Sequence, residues 1–94
     1  MNTKLVHPTV HLNGTSRNDL IHDYSEAQAA VGKALAAVRA YACPNARDYY
    51  VRGPEAHAQA VQQHCARIGA MQEIRRDLCE IIDRLLEDER EARR

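Results

Sequence analysis

"SRNDLIHDYSEAQAAVGKALAAVRAY", residues 16–41, decides the fold. Its apolar residues Leu20, Tyr24, Ala27, Val31, Ala34, Val38 and Tyr41 recur at spacings that alternate between four and three. That period places them on one face of an α-helix. Ser16, followed three places later by Asp19, has the form of a capping box in which the Ser oxygen accepts a backbone N–H of the first turn. Pro44 closes the run, because the residue before a proline is pushed out of helical geometry. A first helix is therefore expected over about 16–42.

Outward from this helix the pattern changes on both sides. Residues 1–14 hold Pro8, the alternating Val10 and Leu12, and Asn13-Gly14, which suit an extended arm ending in a tight turn. Residues 43–53 carry Pro, Asn and Gly and read as a loop. Gly53-Pro54 then opens a second helix over 54–90, with Pro in the first turn, where its missing N–H costs nothing. Val61, Cys65, Ile68, Met71, Leu78, Ile82 and Leu85 form its stripe, which Ile74, Ile81 and Leu86 widen, and the polar "EDEREARR" at the end is expected to fray. At about 1.5 Å per residue the helices are about 40 Å and 50 Å long. The fold class is all-α: one antiparallel two-helix hairpin domain, residues 1–94, with a short N-terminal arm.

The chain has 94 residues, no Phe or Trp, and four Tyr. So short a chain has little core of its own to bury. The apolar positions at 74–86 reach past a two-helix seam and call for another surface, either a second copy of the chain or the arm folded back as a roof. A homo-oligomer is the expectation. Thirteen basic side chains balance thirteen acidic ones, so no long-range field draws in DNA or an anionic membrane. Three cysteines without paired spacing, Cys43, Cys65 and Cys79, fit a reducing cytoplasm. No apolar run approaches the roughly twenty residues of a membrane span.

Enzyme chemistry finds no foothold. His7, His11, His22, His57 and His64 lack the partners of a zinc signature, and no cofactor motif is present. Cys65 lies on the apolar stripe with His64 about 100° away around the helix, which reads as a core thiol rather than a nucleophile and base. Arg75, Arg76, Arg84, Arg90, Arg93 and Arg94 mingle with acids as surface ion pairs. Arg67 differs, since no acid lies between His64 and Ala70 to neutralise it, and an unpaired Arg grips phosphate well.

Two segments could recognise a ligand. In "NARDYY", residues 45–50, Arg47 can fork onto phosphate, Asp48 can accept from a base edge, and Tyr49 and Tyr50 offer stacking faces. Equally, Arg47 and Asp48 can brace the turn while one Tyr packs over the hairpin end. In "HLNGTS", residues 11–16, Gly14 admits a ligand to the main chain, and Thr15 and Ser16 stand beside free N–H groups at the positive end of a helix dipole. Helix capping alone also explains those hydroxyls.

The order "HLNGTS", then "PNARDYY", then "HCARIGAMQEI" on the second helix resembles the phage anti-CBASS sponges, whose helical hairpin is shared with the Thoeris anti-defence sponges. The resemblance covers about residues 9–86. It implies a helical homo-oligomer, typically a hexamer, that captures cyclic di- or trinucleotides between protomers without cleaving them, in the host cytoplasm and with no cofactor. Asn13, Gly14, Thr15, Arg67 and the loop Arg47, Asp48, Tyr49 and Tyr50 are then the ligand-binding positions, with His11, Tyr24 and Lys33 as further phosphate and stacking contacts. A hairpin turning near residue 48 sets Arg67 opposite about residue 30, some 20 Å along the axis from Thr15. The competing function is a helical interaction or assembly factor whose apolar stripe docks a protein partner and takes no small molecule.

Overall fold

The computed structural model describes residues 4–93, so residues 1–3 of the expected arm and Arg94 lie outside it. Two helices, α1 (Arg17–Tyr41) and α2 (Pro54–Ala92), are joined by two short 3-10 turns, Ala46–Asp48 and Tyr50–Arg52. The described residues contain no strand. Ser16 is the N-cap of α1, its Oγ accepting from the Asp19 N–H at 3.2 Å. Gly53 adopts φ 108°, a left-handed value that only glycine takes without strain, and so turns the loop into Pro54 at the head of α2.

The helices run in opposite directions. Gln28 shares a cleft with Cys79, while Gly32, one turn further along α1, meets the Arg75 guanidinium. The core is thin. Leu35, Ile81 and Leu85 are the buried apolar side chains, flanked by half-buried Leu20, Ile21, Tyr24, Val31, Val38, Ile68, Met71, Leu78 and Ile82. The arm adds Leu5, His7, Pro8 and Val10, all half-buried, and His7 Nε2 lies 3.5 Å from Asp88 Oδ2 near the end of α2.

Several expectations about packing are corrected here. On α1 the inward line runs through Tyr24, Gln28, Val31, Leu35 and Val38, so Ala27, Ala34 and Tyr41 face outward. On α2, His64 is buried and Cys65 is exposed, so Cys65 is not a core thiol. α2 also runs slightly past its expected end at residue 90. It stays helical to Ala92, with the Arg93 guanidinium donating to Glu89 at 2.8 Å across one turn.

The whole is a slender body of 63 × 28 × 22 Å. Its radius of gyration, 19.1 Å, far exceeds the roughly 12 Å of a compact chain this long. Its accessible surface is 7616 Å², against about 5,500 Å² for a compact monomer of 10.6 kDa. Val6, Leu12, Tyr41, Tyr50, Val51 and Ile74 all stand out into solvent. No helix among the described residues is long and apolar enough to cross a membrane.

Candidate functional site

The candidate residues fall into separate groups along the rod. At the head of α1, His11 to Thr15 form one turn, closed by the Gly14 N–H donating to the His11 carbonyl at 3.1 Å. Gly14 has no positive φ, so its value lies in space. A Cβ there would stand 2.7 Å from His11 Nε2, because the imidazole lies on the main chain where a side chain would be. The main chain at Gly14 is thus not open to a ligand as expected. An incoming group meets the His11 ring first, either stacking on it or moving it aside. Asn13 and Thr15 are exposed beside it.

The loop end is built by Asn45. Its Oδ1 accepts from the Arg47 N–H at 3.1 Å, which starts the first 3-10 turn, and its carbonyl accepts from the Asp48 N–H at 3.0 Å. Asn45 therefore braces the turn. The Arg47 and Asp48 side chains are exposed and make no ion pair among the described residues. Tyr49 turns inward, its ring centroid 6.1 Å from that of His57 at a tilt of 45°, while Tyr50 projects outward.

Behind Tyr49 lies a cleft of about 520 Å³, lined also by Arg52, Ala56, Gln59, Ala60 and Gln63. An aromatic wall, a floor of alanine and two carboxamides suit a planar group with polar edges, and Arg52 adds a cation at the rim. Arg52, Gln59 and Gln63 were not candidates by sequence. Their signal was the repeat of polar residues at four-residue intervals beside small Ala56 and Ala60. His64 is buried with Nδ1 unpartnered.

Tyr24 is half-buried on the inner face of α1, and Lys33 is exposed on its outer side. Arg67 is exposed on α2 and pairs with no acid among the described residues. Its level along the rod is corrected by the contact of Arg75 with Gly32. A helical side chain leans toward the N-terminus of its helix, so Gly32 faces the backbone between about residues 72 and 75. Counting back along α2, Arg67 then faces the stretch between Ala37 and Ala40 rather than residue 30. That is about 35 Å from Thr15, and the Arg47 to Tyr50 loop, whose Tyr49 packs beside His57 ten residues before Arg67, is about 50 Å from Thr15. Within one chain, the head of α1 cannot share a ligand with either Arg67 or the loop.

Comparisons with protein families, with curated proteins and with solved structures find no match to this chain.

Proposed function

We propose that this chain is a phage anti-defence protein that captures cyclic di- or trinucleotide signals within a homo-oligomer, as a hexamer in the resemblance, and holds them uncleaved. One observation carries the reading: at both ends of the rod, recognition groups sit beside apolar side chains that the single chain leaves bare. Leu12, 97% exposed, lies between His11 and Asn13, and Tyr50 and Val51, 73% and 82% exposed, continue the Arg47 to Tyr49 turn.

The surface in excess of a compact monomer, about 2,100 Å², is of the size that stable assemblies bury between chains. Covering Leu12 and Val51 with neighbouring copies would bring the two distant groups to shared clefts. Such a cleft offers Arg47 and Arg67 for phosphate and Tyr49, Tyr50 and His11 for bases, matching a cyclic oligonucleotide group by group. Preorganised walls lower the ordering cost of binding, which favours slow release. The order of "HLNGTS", "PNARDYY" and "HCARIGAMQEI" supports the same reading.

The test is native mass spectrometry of the purified chain mixed with cyclic di- and trinucleotides, followed by heat release of what it holds. The expected result is a homo-oligomer that retains near-stoichiometric ligand and yields it intact. A folded single chain that retains none of these compounds overturns the proposal, and recovery of cleaved ligand replaces capture with catalysis.

A further inference from the structure

A second cleft, about 430 Å³, opens between α1 and α2 at mid-rod and is lined by Gln28, Gln72, Arg75, Arg76 and Cys79. The arginines here do not behave as the surface ion pairs that the sequence pattern predicts. Arg84 meets Glu80 at 3.7 Å and Arg93 meets Glu89 at 2.8 Å, whereas neither Arg75 nor Arg76 has an acidic oxygen within 4 Å among the described residues. The reason is local. The helical neighbours of Arg75 are Met71, Gln72, Leu78 and Cys79, none of them a carboxylate. Of the two acids one turn from Arg76, Glu80 is engaged by Arg84, and Glu73 makes no ion pair with it among the described residues.

Arg75 also lies over Gly32. A Cβ at Gly32 would lie 3.5 Å from its Cζ and 3.6 Å from Nε and Nη2, so the exposed guanidinium sits over the side of α1 where Gly32 leaves the backbone bare. Its planar fork matches two phosphate oxygens. We infer that this cleft is a phosphate-binding site: Arg75 takes the phosphate in a bidentate grip, Arg76 adds a second cation, and the carboxamides of Gln28 and Gln72 bind the group attached to it. The cleft is wide open to solvent, and its volume exceeds what one phosphate fills. A phosphate monoester carrying a planar polar group, such as a mononucleotide, is the matching chemistry. All lining residues come from one chain, so the site does not depend on the capture proposed above.

Cys79 supplies a local reporter. With exposed Cys43 and Cys65 replaced by Ser, the labelling rate of Cys79 by neutral iodoacetamide is measured in the presence of inorganic phosphate, AMP or adenosine. AMP at tenfold its dissociation constant is expected to slow labelling about tenfold by mass action. Protection by phosphate too would place most of the recognition on the anion, and protection by AMP alone would show that the attached group is also bound. Adenosine is expected to leave the rate unchanged. Arg75→Gln and, separately, Arg75→Lys are expected to weaken AMP protection about tenfold or more, the Lys variant because it keeps the charge and loses the fork.

The inference is overturned if neither phosphate nor AMP protects Cys79, if adenosine protects as well as AMP, or if Arg75→Gln retains full protection. Helical circular dichroism of the two Arg75 variants and of Arg76→Gln confirms that each is folded. A ligand loss in Arg75→Gln that leaves cyclic nucleotide retention intact would separate this cleft from the proposed capture site.

Discussion

His11 lying over Gly14 shows how a single missing Cβ shapes the head of α1: the imidazole occupies the space, with exposed Asn13 and Thr15 on either side of the glycine. At the same scale, Arg67 stands exposed and without an ion pair among the described residues, so its removal should disturb ligand and not fold. Arg67→Ala is expected to abolish the rise in melting midpoint produced by a bound cyclic nucleotide. It should leave the unliganded stability within about 0.5 kcal/mol of the parent, as for most exposed substitutions. A retained ligand shift in a thermal melt removes Arg67 from the site. The pair His64 and Cys65 marks where residue chemistry misled. A thiol is the more apolar group, yet His64, two turns beyond the His57 that Tyr49 packs on, lies on the buried face of α2, leaving Cys65 outside.

At the scale of the element, Gly69 sits in the interior of α2, and a Cβ built on it meets nothing within 4 Å. Gly69→Ala should therefore stabilise the chain by up to about 1 kcal/mol, the helix propensity difference, read as a higher midpoint in thermal or urea unfolding of the ligand-free protein. A lower midpoint would mean that a contact from another copy needs the bare backbone there. Ser16 and Gly53-Pro54 are punctuation that local sterics and hydrogen bonding enforce, and they mark helix starts at Arg17 and Pro54 in the structure as in the chain. The inward face of α1 was harder to read. Between residues 27 and 40 seven alanines surround Val31, Leu35 and Val38, so two lines one residue apart keep the same period and nearly the same hydrophobicity. Only packing against α2 selects the line through Leu35. The site suffers the same ambiguity: Arg75 reads as one more charge in a mixed run until Gly32 is seen beneath it.

For the whole molecule, the antiparallel register orders its assembly in time. Pairs beside the loop join residues close in sequence, whereas the link from His7 to Asp88 spans nearly the entire chain. The entropy lost in closing a loop rises with its length, so the hairpin should zip from the turn toward the open end, with the arm docking last. In pulse-labelled hydrogen exchange during refolding, amides of 35–41 and 60–72 are expected to become protected before those of 17–24 and 81–89, and the reverse order would refute this sequence of events. A chain emerging from the ribosome meets the consequence directly. The arm and the head of α1 leave the exit tunnel long before the last turns of α2 that should receive them. Newly made copies must therefore wait half-zipped until synthesis is complete, with Leu12 and its polar neighbours already on display.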